Sequence, residues 1–100
     1  MQYTPVIDSQ DISYLYDAIL RLETKEDCYR FFEDLCTINE IQAMAQRLQV
    51  ARMLRDRVTY QQIVDRTGAS TATISRINRC LLYGAGGYRA ILARMHDGEK

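Results

Sequence analysis

The fold is decided by the stretch TYQQIVDRTGASTATISRINR, residues 59–79. Thr59 and Gln62 have the spacing of a capping box, in which each side chain hydrogen-bonds the backbone N–H of the other residue. A short helix is therefore predicted to begin at Tyr60. Gly68 then stands where the backbone would leave helical angles, a conformation that costs other residues more. This order of helix, glycine turn and second helix predicts a helix-turn-helix.

The second helix of this motif has its own start signal and its own buried face. Ser70 or Thr71 can cap it, because a hydroxyl oxygen accepts the N–H groups that the first turn leaves unpaired. Ile74, Ile77 and Leu81 follow at spacings of three and four residues. This spacing places the three side chains on one face of a helix and predicts that they are buried.

The opposite face of the second helix is polar, small or basic, and its residues are Thr71, Ala72, Ser75, Arg76 and Arg79. Small residues allow a helix to approach base edges, while arginine can pair with guanine or hold a phosphate. Between residues 47 and 94 the chain has nine basic residues and two acidic ones. The pattern predicts DNA binding; the alternative is a plain helical hairpin with a solvated arginine face.

The rest of the chain is also predicted to be helical. The only proline is Pro5, so no later residue breaks a helix on that account. No segment alternates apolar and polar residues as a strand would. Residues with capping chemistry precede three further segments of helical periodicity: Asp8 or Ser9, Thr24, and Thr37 with Glu40. The helix that follows Thr37 is predicted to direct one apolar face inward, with the residues Ile41, Met44, Ala45, Leu48, Ala51 and Leu54.

The sequence therefore predicts an all-α protein of about six helices in a single domain, residues 1–100. One hundred residues suit one domain, although so short a helical core is often completed by a second subunit. Gly84, Gly86 and Gly87 separate the last helix from the motif. The predicted parts are N-terminal dimerisation helices at 1–36, a long central helix at 37–58, the helix-turn-helix at 59–82 and a C-terminal helix at 88–96.

Composition excludes several classes of protein. A hydrophobic fraction of 47% excludes a disordered chain, and no apolar run approaches the ~20 residues that span a bilayer. With no signal-peptide pattern, we expect a cytoplasmic protein with no membrane partner. An odd number of cysteines (Cys28, Cys36 and Cys80) without C-x-x-C spacing suits reduced thiols. The single histidine, His96, argues against a metal site, and no residue pattern indicates an enzyme.

Charge is distributed unevenly along the chain, although its net value is zero. Residues 1–40 contain nine acidic and three basic residues, whereas residues 41–100 contain four acidic and ten basic residues. Such asymmetry indicates a basic surface on the C-terminal part, as a nucleic-acid-binding protein requires.

Three stretches resemble one known family. They are LCTINE at 35–40, QRLQVA at 46–51 and, above all, TGASTATISRINR at 67–79. This block is similar to the Trp repressor superfamily, and more closely to its Trp-repressor-related branch, the YerC/YecD type. The resemblance covers about half of the chain at the level of motifs.

The resemblance implies an intertwined homodimer that presents two helix-turn-helix units to successive major grooves of a palindromic operator. It implies a transcriptional regulator, with repression as the expected effect. It further implies that Tyr60 and Gln61 lie near phosphate, and that Thr71, Ala72 and Ser75 lie near bases. Ser70, at the start of the second helix, is also a predicted DNA-binding residue.

Ligand control is a separate expectation. In Trp repressor two arginines sandwich the indole of the corepressor, and by motif they match Arg47 and Arg76. Trp repressor has glycine directly after the second arginine, whereas this chain has Ile77. Because a branched side chain should fill the space that the indole needs, we expect L-tryptophan not to be the effector. Whether another small-molecule effector binds stays open, as does a role for Arg47 in contacting phosphate.

Two alternatives to a free-standing regulator are left open by the residues. The first is a relative of the C-terminal helix-turn-helix of sigma factors that acts within a polymerase complex. The second is a helical protein–protein interaction module, whose acidic first half would use its aromatic residues, Tyr14, Tyr16, Tyr29, Phe31 and Phe32.

Overall fold

A computed structural model describes the backbone of residues 3–98 and the side chains of residues 3–95. Over that range the chain forms six α-helices and no strand, which confirms the predicted all-α class. The helices are α1 (Gln10–Ile19), α2 (Lys25–Leu35), α3 (Ile38–Arg55), α4 (Tyr60–Thr67), α5 (Thr71–Tyr83) and α6 (Gly87–Gly98).

The first two helices begin at the hydroxyl residues that the sequence indicated. Ser9 Oγ accepts the N–H of Ile12 at 3.1 Å and caps α1. At α2, Thr24 Oγ1 accepts the N–H of Asp27 at 3.0 Å, and the Asp27 carboxylate accepts the N–H of Thr24 at 3.3 Å. A further bond from the N–H of Glu23, with those to Thr24, lowers the pKa of Asp27 below its ordinary value.

The chain divides into two compact units, residues 1–37 and residues 38–100. The single domain that we expected therefore stays a prediction. In the first unit, neither α1 nor α2 contains a buried residue. Tyr14, Leu20 and Tyr29 have 77%, 76% and 63% of their surface exposed. These three apolar side chains are not part of a core within one chain.

The second unit contains the hydrophobic core. Its buried side chains come from α3, α4, α5, α6 and the turn between α4 and α5: Val50, Ala51, Ile63, Ala69, Ile74, Ile77 and Leu92. The prediction that Ile74 and Ile77 face inward is correct, while Leu81 is only partly buried beside them.

The central helix is shorter than predicted, and its inward face is only half buried. It spans Ile38–Arg55 rather than 37–58. It ends because Arg57 adopts a left-handed conformation with φ of 64°, after which the N–H of Val58 donates to the carbonyl of Met53 at 3.0 Å. Met44 and Leu48, expected to point inward, are exposed in the single chain.

A close backbone approach connects α5 with α6. A side chain at Gly84 would place its Cβ 2.5 Å from the carbonyl oxygen of Cys80. Arg89 then closes the connection, because its guanidinium donates to the carbonyls of Leu81 at 2.7 Å and Leu82 at 2.8 Å. The last helix starts at Gly87, one residue before the predicted start.

Among the residues described above, no helix is long and apolar enough to cross a membrane. Likewise, no cluster of three or more His, Cys, Asp or Glu side chains in the described part of the chain could hold a metal ion.

We predict that Gly84→Ala destabilises the protein by about 2 kcal/mol or more, because the new methyl group collides with backbone that cannot move aside. Gly87→Ala is the matched control, since its Cβ would meet nothing within 4 Å. Chemical denaturation of both variants at one fixed protein concentration measures the difference. Equal stability of the two variants would contradict the close approach at Gly84.

Candidate nucleic-acid interface

The turn between α4 and α5 begins at Gly68. Its φ is 74°, in the left-handed region that side chains other than glycine rarely adopt, and its N–H donates to the carbonyl of Val64 at 2.9 Å. At the other end of α4, Thr59 and Gln62 form the predicted capping box, with bonds of 3.2 and 3.3 Å. Both ends of the first helix of the motif are therefore set by local sequence.

Side-chain hydrogen bonds hold the turn against the rest of the second unit. Thr67 Oγ1 donates to the carbonyl of Ile63 at 2.7 Å and accepts the N–H of Ala69 at 3.1 Å. From α3, Gln46 Nε2 donates to the carbonyl of Thr67 at 3.1 Å. Sequence reasoning missed this role of Gln46, because the two residues lie 21 positions apart and no local pattern connects them.

Ser70 is the N-cap of α5. Its Oγ accepts the N–H of Thr73 at 3.1 Å and is also hydrogen-bonded to Thr73 Oγ1 at 3.0 Å. Because the hydroxyl group is engaged on both sides, its first role is to begin the helix. The DNA contact of Ser70 stays a prediction. In the absence of DNA its side chain already caps α5.

One face of α5 is exposed from Thr71 to Arg79. The members of this exposed face are the predicted contact residues Thr71, Ala72, Ser75, Arg76 and Arg79. The core residues Ile74 and Ile77 point the other way, the latter with 3% of its surface exposed. Burial of this apolar side fixes the orientation of α5 about its own axis, so that the polar and basic side faces solvent.

The predicted phosphate-contacting residues lie at the start of α4. Tyr60 and Gln61 are both exposed there. Gln61 Nε2 donates to Asp65 Oδ1 at 3.0 Å, one helical turn further on. This bond orients the amide of Gln61. The carboxylate of Asp65 also adds one negative charge among the basic side chains of the motif.

The arginines of α3 divide into different environments. Arg55 is structural as well as basic, because it donates to the carbonyl of Leu92 at 3.0 Å and to Asp56 Oδ1 at 2.9 Å. Arg47 is exposed. Its charge is felt by the phenol of Tyr88, whose pKa is raised chiefly by burial and to a lesser degree by Cys80, while Arg47 lowers it.

The chain is similar to a known protein family and to a curated bacterial sequence over most of its length. A family model described as Trp repressor protein matches residues 10–96. The uncharacterized protein YerC of Bacillus subtilis (strain 168) is 57% identical over 90 residues, which are 90% of this chain and 86% of that protein.

Two solved structures are similar along most of their length. A candidate Trp repressor from Staphylococcus aureus has a TM-score of 0.85 and 53% identity, covering 89% of each chain. A TrpR-like protein from Eubacterium eligens ATCC 27750 has a TM-score of 0.87 and 50% identity. That match covers 93% of this chain and 96% of the other.

We predict that Ser70→Ala lowers the free energy of unfolding by about 1 kcal/mol, the usual cost of losing an N-cap. Ser70→Asn, which keeps a capping side chain, should restore most of the loss. Thr71→Ala is the control for an exposed neighbour and should change stability by less than about half that amount. Urea denaturation measures all three; a neutral Ser70→Ala would contradict the capping role.

Proposed function

The chain belongs to the Trp repressor family, and from that premise we propose that it is a sequence-specific DNA-binding transcriptional regulator that acts as a homodimer. The observation that carries this proposal is the exposed face of α5. It joins a capped helix start to small side chains and then to two arginines, on a helix whose other side is buried.

Base contacts are assigned to the first turns of α5. Thr71, Ala72 and Ser75 are small enough for the helix to approach base edges in a major groove. The hydroxyl groups can donate to or accept from a base, and the methyl group of Ala72 can contact thymine. Arg76 and Arg79 stand further along the same face, where a guanidinium can reach a guanine or a phosphate.

Backbone contacts are assigned to the start of α4 and to the charge around the motif. Tyr60 and Gln61 offer a hydroxyl and an amide at an exposed helix end, and phosphate oxygens accept hydrogen bonds from both groups. The excess of ten basic over four acidic residues in residues 41–100 supplies the attraction to a polyanion. Action on DNA also implies a location in the cytoplasm.

Dimerisation is supported by the apolar side chains that one chain leaves uncovered. In the first unit they include Tyr14, Leu20 and Tyr29, and on α3 of the second unit they include Met44 and Leu48. Large apolar side chains that a chain leaves exposed are often covered in an interface with another chain. An intertwined second copy would cover it and would supply the second helix-turn-helix that a palindromic operator requires. Repression is the effect we propose for such a dimer.

An effector is not required by this proposal, and L-tryptophan does not fit it. Arg47 and Arg76 are exposed and could each face an aromatic ring. Ile77, the residue after Arg76, is buried in the core, so its side chain takes up space where a glycine would leave room.

We predict DNA binding whose affinity falls steeply as salt rises and that enriches a palindrome from a random DNA pool. Arg79→Ala should weaken binding to all sequences alike if it contacts phosphate, whereas Thr71→Ala and Ser75→Ala should change the preferred sequence, at about 1–3 kcal/mol for each lost base contact. Gel shift and sequence selection provide the measurements. Absence of DNA binding at low salt would instead favour a protein–protein interaction module.

We predict a dimer in solution at micromolar protein concentration. Sedimentation equilibrium gives the mass directly, and the chain itself is 11.6 kDa. Leu20→Glu should weaken the dimer by placing a charge on the uncovered apolar surface, while Lys25→Glu, a polar exposed site of the same unit, serves as the control. A compact monomer for the unsubstituted chain would rule out the intertwined arrangement.

We predict no saturable binding of L-tryptophan at millimolar concentration. Isothermal titration calorimetry of the unsubstituted chain tests this directly. Ile77→Gly, which removes the obstructing side chain, is informative only if it still folds, and circular dichroism checks that condition. Saturable binding to the unsubstituted chain that Arg76→Ala abolishes would refute the role assigned to Ile77, because such binding would take place at the arginine pair.

A further inference from the structure

A cleft between α3 and the far end of α4 is not used by the proposed DNA contacts. It has a volume of about 540 Å³ and is lined by Ala45, Gln46, Gln49, Arg52, Met53, Asp56, Val58, Arg66 and Thr67. Neither Arg47 nor Arg76 contributes to it. Its volume lies within the ~300–1,000 Å³ that small-molecule sites occupy. The cleft is therefore distinct from the arginine pair that the family resemblance singled out.

The walls of the cleft combine apolar side chains with a few polar groups. Ala45, Met53 and Val58 supply the apolar part, and both Met53 and Val58 are partly buried against the core. This combination of apolar wall and few convergent polar groups is typical of sites for small organic molecules. A thioether such as that of Met53 also makes favourable contacts with an aromatic ring.

The charges of the cleft favour an anion. Within the part of the chain that the structure describes, the guanidinium of Arg66 makes no hydrogen bond or ion pair. Arg52 also lines the cleft, but it already has a partner, so the site depends on Arg66. The one acidic member, Asp56, is bonded to Arg55 at 2.9 Å. A carboxylate matches the fork of a guanidinium, since two parallel hydrogen bonds can form, and the apolar wall beside Arg66 suits an organic carboxylate better than a bare inorganic phosphate.

We propose that this cleft is an effector site for small organic carboxylates, with Arg66 binding the carboxylate and the Met53 wall receiving the apolar body. The binding site stands on the geometry alone, while its regulatory meaning rests on the proposed function. Gln46 gives the site its means of action. It lines the cleft and also donates to the carbonyl of Thr67, so an occupant contacts a side chain that holds the helix-turn-helix turn.

Methionine methyl groups provide the test, because they report on the cleft residue by residue. With ¹³C-methyl-labelled protein, benzoate and hexanoate are titrated in the absence of DNA, with benzamide and hexanamide as neutral controls. The Met53 signal should shift saturably with the carboxylates and much less with the amides. Met44 and Met95 lie outside the cleft and should not respond to low probe concentrations.

Arg66→Gln should raise the Kd for benzoate about tenfold, equivalent to about 1.4 kcal/mol. Arg94→Gln, an exposed arginine of α6 outside the cleft lining, is the matched control and should leave the Kd unchanged. An equal response to benzamide, a shift at Met44 or Met95 in place of Met53, or an unchanged Kd for Arg66→Gln would overturn the proposal.

A final titration distinguishes an effector from DNA itself as the source of the anion. It is repeated with protein saturated by a mixed-sequence duplex of about 20 base pairs at low salt. A finite change in the Kd for benzoate, with the Met53 shift still reached at saturating benzoate, supports an effector site, because coupling between two sites is reciprocal. An unchanged Kd would mean that the cleft does not act on DNA binding, and loss of the Met53 shift at every benzoate concentration would mean that the cleft receives a backbone phosphate; either result would overturn the effector assignment. Because the first titrations contain no DNA, failure of DNA binding and failure of the cleft to bind carboxylates are seen separately.

Discussion

The second unit depends on the burial of Ile63 and Ile74 against Val50 and Ala51 of the central helix. Ile63, Ile74 and Val50 have no exposed surface, and each such side chain contributes about 2 kcal/mol by leaving water. Helices α4 and α5 are too short to be stable alone, so this packing is what maintains them. Because side chains project at fixed angles around the axis of a helix, burial of one face also determines which residues face outward. The exposed face of α5 is therefore a consequence of the core.

Polar side chains refine what the core establishes. Thr67 stabilises the turn, Ser70 caps the start of α5, and Gln46 connects the turn to the central helix. The neighbouring side chains of the exposed α5 face take no part in these bonds. Substitutions at Thr71, Ala72 or Ser75 therefore cost little folding free energy, which is how one fold can serve different DNA sequences. The same bond from Gln46 places the turn within reach of whatever occupies the cleft beside α3.

The two units differ in how much of their apolar surface is buried within one chain. The second has a core, whereas α1 and α2 have amphipathic faces and no buried residue. Apolar surface that one chain leaves exposed costs free energy, which a second copy can recover by covering it. Under the proposed dimer, stability would depend on protein concentration as well as on the contacts of a single chain. The acidic charge lies mostly in residues 1–40 and the basic charge in residues 41–100, which contain the proposed DNA-binding motif.

The sequence by itself determined the features that depend on near neighbours. Capping pairs such as Thr59 with Gln62, the left-handed Gly68 and the three-four spacing of Ile74 and Ile77 are local, so the all-α class, the helix starts and the exposed face of α5 could be predicted from them. The sequence did not reveal the end of α3 at Arg55, because Arg57 adopts left-handed angles without being glycine. Nor did it reveal the bond from Gln46 to Thr67 or the cleft beside it. Contacts between residues far apart in sequence exist only after packing has brought helices together, and no pattern of spacing encodes them. Tertiary structure alone decided those contacts, and it also left Met44 and Leu48 of the central helix partly exposed in the single chain.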